Sequence, residues 1–275
     1  MRIALAQMQS GIDPQSNAVA IVQAIGSAAK GGAAMVFTPE MSGLLDRNRA
    51  RASGHIMTED QDIVLSEVRR AAAEYGIWVS LGSLALKGGS DGRLVNRSFL
   101  IDAAGSVRAR YDKIHLFDVD LPTGESWRES AAYAPGKEAV VADTPVGRLG
   151  LSICYDLRFP ALYAVLSEAG ATILSIPAAF TVPTGQAHWH ALMRARAIEN
   201  AAWVVSAAQV GTHEDGRKTY GHSLVVDPWG EVVLDMGEQL GVAFAELEQE
   251  RCNEVRTQIP VIAHRRAVSD ALVVS

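Results

Sequence analysis

The chain has 275 residues, of which 48 % are hydrophobic and 20 % charged, with a formal net charge of −6 and a pI near 5.7. This balance suits a well-cored globule rather than a disordered chain, and with no basic run in the sequence it argues against a nucleic-acid-binding surface. A small anionic substrate stays compatible, because a few local arginines can capture a carboxylate whatever the net charge.

Two cysteines, Cys154 and Cys252, cannot build a disulfide framework, which points to an intracellular protein. The opening "MRIALAQMQSG" holds no apolar core long enough for a signal peptide. Nor does any segment approach the length of uninterrupted apolar sequence that a membrane span needs. The expectation is a soluble, cytoplasmic α/β protein with no membrane partner.

In chain order, "RIALAQM" (2–8) reads as a strand, "PQSNAVAIVQAIGSAAK" (14–30) as a helix and "AAMVFTPE" (33–40) as a strand that stays apolar until Pro39 and Glu40. A helix over 59–75 leads into the strand "GIWVSLGSLAL" (76–86), and "KGGSDGR" (87–93) is a turn signal. Residues 97–117 read as a hairpin turning at Ala104–Gly105. The following "DVDLPTGESWRESAAYAPGK" (118–137) has no periodicity, and a loop of that length in a compact domain is functional or disordered. Strands resume at "AVVADT" and "RLGLSIC". They are followed by a helix near 160–169, the strand "ATILSIP" (171–177) and a helix near 187–201.

"WVVSAAQV", a hairpin in "HSLVVDPWGEVVLDM" turning at Pro228–Gly230, and "VAFAEL" (242–247) complete the strands. The tail starts helical and ends without pattern. Apolar, non-alternating runs such as "AMVF", "ILSI" and "WVVSAA" are those of sheets buried on both faces. No linker or composition shift divides the chain, so residues 1–275 read as one domain of layered sheet and helix.

Cys154 ends the apolar run "RLGLSIC" and is followed by Tyr155-Asp156 and a helix beginning near Pro160. A strand-to-helix turn of this kind can present a nucleophile, but a lone cysteine is also a common core residue. Both assignments stay open on this segment alone. A free thiol is only a few per cent ionised at neutral pH, so a nucleophilic cysteine needs a base or a cation beside it. Glu40 and Lys113 each close a strand-like run, where a solvated carboxylate and a surface lysine are the ordinary readings. His115 is either a base or an oriented hydrogen-bonding residue. The strand ends are nonetheless where open α/β sheets place their sites.

Those residues fall in three ordered blocks, "FTPE" (37–40), "YDKIHLFDVD" (111–120) and "GLSICYDLRFP" (150–160), that resemble the catalytic blocks of the nitrilase superfamily of carbon–nitrogen hydrolases. The resemblance runs from "RIALAQ" to "IPVIAHRR" and includes "PTGQAHWHALMRARAIEN" (183–200) and "YGHSLVVDPWGEVV" (220–233). It implies a four-layer αββα sandwich with a Glu40–Lys113–Cys154 triad, and Glu129 positioning Lys113 and substrate. The Tyr155 backbone N–H would be an oxyanion donor, and Arg158, Phe180, Thr184 and His190 would be substrate-binding positions. It implies no metal or other cofactor. A homodimer or higher homo-oligomer is also implied, with the tail over about 258–275 crossing to a neighbour.

Within the superfamily the chain is similar to the amidase branch acting on small 2-oxo acids that carry an amide. "RARAIE" (194–199) and residues 207–223 lean toward deaminated glutathione, cleaved to 2-oxoglutarate and cysteinylglycine, rather than the 2-oxoglutaramate or 2-oxosuccinamate of ω-amidases. An N-carbamoyl amide hydrolase is less well matched, since Leu157 stands where that branch tends to carry arginine. A binding protein that keeps the fold without catalysis is the alternative of a different class.

Four other features receive structural readings. His188 and His190, two apart on a helix, point to different faces, so they are not expected to share an ion with His213 and His222. "KGGSDG" is not a phosphate loop. Cys252, in polar surroundings, is expected to be inert or partly exposed. Arg158 could also be structural, paired with Asp156 or Glu199.

Overall fold

The computed structural model describes residues 1–89, 91–120, 124 and 126–274. The chain opens with β1 (Arg2–Gln7), α1 (Pro14–Lys30), β2 (Met35–Phe37), a one-turn α2 (Arg49–Ala52), α3 (Ile63–Tyr75) and β3 (Trp78–Lys87). The α1 boundaries are set locally. The Asp13 carboxylate accepts the backbone N–H groups of Gln15 and Ser16, and Pro14 fills the first position, where a missing N–H does no harm. Asp62 caps α3 in the same way, and Gly76, at φ +64, ends it in the left-handed conformation that glycine adopts without strain.

The hairpin follows as β4 (Leu94–Ile101) and β5 (Val107–Asp112). Of the 118–137 segment, positions 121–123 and 125 lie outside the described residues, as does position 90 of the turn before it. The remainder is more ordered than its sequence suggests. β6 (Asp118–Asp120) pairs with β7 (Ser126–Arg128), and a 3₁₀ turn follows at Glu129–Ala131.

After β8 (Val141–Thr144) and β9 (Gly147–Leu151), a 3₁₀ turn at Cys154–Arg158 leads directly into α4 (Pro160–Glu168). Then come β10 (Ile173–Ser175), α5 (Val182–Asn200), β11 (Trp203–Ser206), β12 (Val210–Thr212) and β13 (Lys218–Tyr220). The chain closes with β14 (Leu224–Val226), β15 (Val232–Asp235), β16 (Gly241–Glu246) and α6 (Arg251–Gln258). α5 begins five residues earlier than the sequence pattern indicates, since Pro183 and Gly185 are tolerated in its first turn.

Two six-stranded sheets carry the fold, ordered β16-β1-β2-β3-β4-β5 and β15-β14-β11-β10-β9-β8. Each has a parallel centre, β1-β2-β3 in one and β9-β10-β11 in the other, flanked by antiparallel strands. The alternation of side chains along β1 builds the layers. Ile3 and Leu5 pack with Leu149, Ile173 and Val205 of the other sheet, while Ala4 and Ala6 pack with Ile21 and Ile25 of α1 and Val68 of α3. α5 buries Trp189, Met193 and Ala197 on the far side of the second sheet. The stack is helix, sheet, sheet, helix, as the resemblance implies. β16 returns from the second half to pair antiparallel with β1.

β5 lies two antiparallel steps from β3 and so runs in the same direction. The C-terminal ends of β2, β5, β9 and β10 therefore open toward one region. Among the described residues, no helix is long and apolar enough to cross a membrane.

Candidate active site

Three side chains from these strand ends and a fourth from the turn after β7 meet beside a cavity of about 940 Å³, within the range of small-molecule sites. Glu40 follows β2, Lys113 follows β5, Glu129 opens the 3₁₀ turn after β7, and Cys154 follows β9. Glu40, Lys113 and Cys154 are only 5 %, 2 % and 8 % exposed, which excludes the solvated-surface readings of the carboxylate and the lysine.

Lys113 Nζ donates to Glu40 Oε1 at 2.8 Å and to Glu129 Oε2 at 2.9 Å. A buried ammonium is tolerable only with such partners. Burial by itself would pull Lys113 down, but the carboxylates of Glu129 and Glu40 outweigh it and hold the ammonium well above its usual value. Glu40 Oε2 accepts the Ala179 N–H at 3.0 Å, and Glu129 Oε2 accepts the Phe117 N–H at 2.7 Å. Asn96 Nδ2, on β4, bridges the two carboxylates at 3.1 and 3.2 Å. That asparagine escapes a sequence reading. Its signal is a lone amide inside the apolar strand run "LVNRSFLI", buried where an amide needs partners.

The backbone is unusual beside both Glu40 and Cys154. Met41, next to Glu40, has φ +55, and Cys154 has φ +49, a region that side-chain-bearing residues occupy at a cost of about 1–3 kcal/mol each. Beside Glu40, Gly82 lies so close to the strand end that a Cβ there would collide with the carbonyl oxygens of Thr38 and Pro39.

The turn at Cys154 is pinned by Asp156, which is fully buried. Its carboxylate accepts the N–H of Ile153 (2.9 Å), the N–H of His115 (3.0 Å) and the Tyr111 hydroxyl (2.7 Å), and pairs with His115 Nδ1 at 2.7 Å. His115 also stacks on Phe159 with ring centroids 3.6 Å apart. It is thus an oriented hydrogen-bonding residue. The Cys154 N–H is spent on Pro177 O at 2.9 Å, whereas Tyr155 sits in the first turn of the 3₁₀ segment, where backbone N–H groups lack intrahelical acceptors.

Burial, then the Glu40 carboxylate, pushes the Cys154 thiol well above its ordinary range, with Lys113 opposing. The resting group is a thiol beside a carboxylate that can take its proton.

Arg158, Phe180 and Thr184 line the cavity. Arg158 lies over the rings of Phe180 and Tyr155, 5.4 and 5.8 Å from their centroids, and approaches His188 Nδ1 at 3.3 Å. It pairs with neither Asp156 nor Glu199, because Asp156 is committed to the turn and Glu199 to Arg196.

His190 requires a correction: it is not on the cavity wall. Six residues beyond Thr184 on α5, it is rotated by about 240°, whereas His188, four residues on, stays on the same face as Thr184. His190 Nε2 instead meets Asp235 Oδ2 at 2.9 Å, and His222 Nδ1 meets Asp235 Oδ1 at 2.9 Å. So His188 and His190 do diverge, but His190 and His222 converge with Asp235, their donor atoms within 4.8 Å of one another. That spacing could hold a cation, at a half-exposed surface away from the cavity. Cys252 requires a second correction. It is buried rather than partly exposed, and its Sγ donates to Thr172 O at 3.3 Å.

Residues 2–257 match the carbon-nitrogen hydrolase family. The chain belongs to that family, and it is an amidase of the nitrilase superfamily. It is 42 % identical to a deaminated glutathione amidase of Yersinia enterocolitica over 269 residues, covering 97 % of this chain and 93 % of that protein. Among solved structures, the Caenorhabditis elegans NitFhit protein superposes with a TM-score of 0.89 at 42 % identity, over 96 % of this chain and 65 % of that one. An amidase from Nesterenkonia sp. AN1 superposes with a TM-score of 0.82 at 27 % identity, over 97 % and 94 % of the two chains. That structure is of a single-residue mutant of the amidase, captured with the acetamide moiety of fluoroacetamide added covalently at its active-site cysteine.

Proposed function

We propose that the protein hydrolyses deaminated glutathione to 2-oxoglutarate and cysteinylglycine through a thioester on Cys154. The chemistry rests on one observation above all, the Glu40–Lys113–Glu129 cluster held against the Cys154 turn at the cavity. The choice of substrate rests on the deaminated glutathione amidase likeness along nearly the whole chain.

Glu40 takes the Sγ proton as sulfur attacks the amide carbon. The oxygen that becomes negative is met by the Lys113 ammonium and the Tyr155 N–H, two donors fixed before the reaction begins. The carbon–nitrogen bond then breaks, and Glu40 returns its proton to the cysteinyl nitrogen. After the dipeptide leaves, Glu40 accepts a proton from water, whose oxygen attacks the thioester. The carbon–sulfur bond breaks and the proton goes back to Cys154. Glu129 holds Lys113 together with Glu40, so the two carboxylates share the one ammonium. Arg158, free of carboxylate partners among the described residues and flanked by Phe180 and Thr184, receives the 2-oxo acid carboxylate.

The protein is further read as a cytoplasmic homodimer. Val165 of α4 and Ile198 of α5 are about half exposed, and Arg265 ties the start of the tail to Ala164 O, Ser167 and Asn200. Val268 and 272–274 beyond it are left almost fully exposed, apolar surface of the kind a partner subunit covers. Sedimentation equilibrium returning a monomer would remove that reading.

Parallel assays of wild type and Cys154→Ser on deaminated glutathione and 2-oxoglutaramate test the function. The expected result is faster cleavage of deaminated glutathione, lost in the variant. Preference for 2-oxoglutaramate would make the protein an ω-amidase. Turnover of neither would turn attention to carbamoyl amides or to a binding role.

A further inference from the structure

The cavity has a second cationic end, which the chemistry at Cys154 does not use. Arg217, in the turn between β12 and β13, lays its guanidinium over the ring of Trp127, 4.7 Å from the centroid, and lines the same cavity as Cys154. Its Nε is buried without a hydrogen-bond partner among the described residues. Its Nη2 is 3.5 Å from Asp215 Oδ2, longer than the ~2.7–2.9 Å of a charge-assisted hydrogen bond.

Asp215 is occupied otherwise: it accepts the backbone N–H groups of Arg47 (2.9 Å) and Arg217 (2.8 Å). Arg47, also on the cavity wall, reaches over Gly216, and its guanidinium meets no carboxylate among the described residues. The nearby Asp46 is held by Arg51 at 2.7 and 2.9 Å. The one carboxylate near the Arg217 guanidinium is thus already committed to backbone N–H groups, and a buried donor left unpaired is costly.

An aromatic wall joins this end to the nucleophile. Tyr155, next to Cys154, contacts Phe117 with centroids 5.1 Å apart, and Phe117 contacts Trp127 at 6.3 Å. A dipeptide leaving group extends about 7 Å past the scissile nitrogen and ends in a carboxylate.

We propose that Arg217, assisted by Arg47, binds the terminal carboxylate of a peptide leaving group. The cavity then recognises an amide carrying an anion at each end, with Arg158 at the acyl end. This inference rests on the peptide-releasing reading of the function, and it assigns selectivity for a peptide acid over a primary amide to a residue remote from the triad.

The test compares deaminated glutathione with its glycine carboxamide, which has lost the distal charge alone, in wild type, Arg217→Gln and Arg217→Lys. 2-Oxoglutaramate serves as the reference substrate without a peptide. Wild type is expected to favour the acid over the carboxamide by about 10- to 100-fold in kcat/KM, chiefly through KM, the range of a hydrogen bond to a charged group. Arg217→Gln should bring the ratio near one, and Arg217→Lys should restore part of it. A wild-type ratio already near one, or a ratio unchanged in Arg217→Gln with all three substrates slowed equally, would overturn the proposal by making Arg217 a mere support for the Trp127 loop. Wild type that cleaves 2-oxoglutaramate but not deaminated glutathione would contradict the substrate reading first, and this assignment with it.

Discussion

The two cysteines make an informative contrast. Both are buried, and burial raises both thiols above their ordinary value. Cys252 sits inside α6 with regular helical backbone, its sulfur against a carbonyl and no carboxylate or ammonium within its hydrogen-bond set. Cys154 sits at a left-handed turn on the wall of a cavity, with Glu40 and Lys113 beside it. A displaced thiol pKa therefore does not separate the two. The buried carboxylate and ammonium beside Cys154 and the cavity it lines do, and these are what the proposed nucleophile requires.

The sharpest break of that contrast is substitution. Cys154→Ala should lower kcat by about 10⁴-fold or more, while Cys252→Ala should keep it within about twofold and lower stability by about 1 kcal/mol. Steady-state product release with a thermal melt reads both, and comparable activity losses would erase the distinction.

Lys113→Met comes next. Removing one oxyanion donor is expected to cost about 10²–10³ in kcat. Leaving Glu40 and Glu129 facing each other without a cation is expected to cost about 3–5 kcal/mol of stability. Full activity with a lowered melting temperature would reduce Lys113 to a structural role. Asp156→Asn touches no substrate but turns one acceptor of the Cys154 turn into a donor. About 2–3 kcal/mol of stability should be lost, with kcat falling more than KM changes. An unchanged kcat would mean the turn holds its shape without that carboxylate.

The alkaline limb reads the Cys154 thiol itself. A folded thiol raised above its unfolded value contributes stability that is complete below about pH 9 and is lost as pH rises toward the folded value. Lys113, raised above 10.5, acts in the same sense at higher pH. Between about pH 9 and 11, Cys154→Ala should therefore lose less melting temperature per pH unit than wild type, by up to about 1.4 kcal/mol per unit. Parallel curves would show that the Cys154 thiol is not perturbed by folding. The smallest effect is expected at His190→Ala, within about twofold on kcat/KM for deaminated glutathione, since His190 faces Asp235 rather than the cavity; a large rise in KM would reopen it as a substrate contact.

Much of this was legible beforehand, for reasons visible in particular residues. α1 is bounded where Asp13-Pro14 and Gly31 bound it in the sequence, and Glu40, Lys113 and Cys154 each stand where a strand-like run closes, apolar before Glu40 and Cys154 and charged before Lys113. The pairing of β6 with β7 was not legible, because three-residue strands are too short to show alternation. Helical spacing correctly parted His188 from His190. It could not reveal that His222 and Asp235, far along the chain, would meet the latter. Asn96 and Asp156 read as isolated polar residues until the sheets bring two carboxylates to one and a turn, a histidine and a tyrosine to the other.

The central claim is that Cys154 carries the acyl group during turnover. Acid-quenching wild type in the steady state with deaminated glutathione, followed by peptide mass mapping, tests it directly. A 2-oxoglutaryl adduct on the peptide containing Cys154, none on that containing Cys252, and its absence from Cys154→Ala is the expected result. Turnover at the normal rate with no adduct on Cys154, or with the acyl group on another residue, would contradict it.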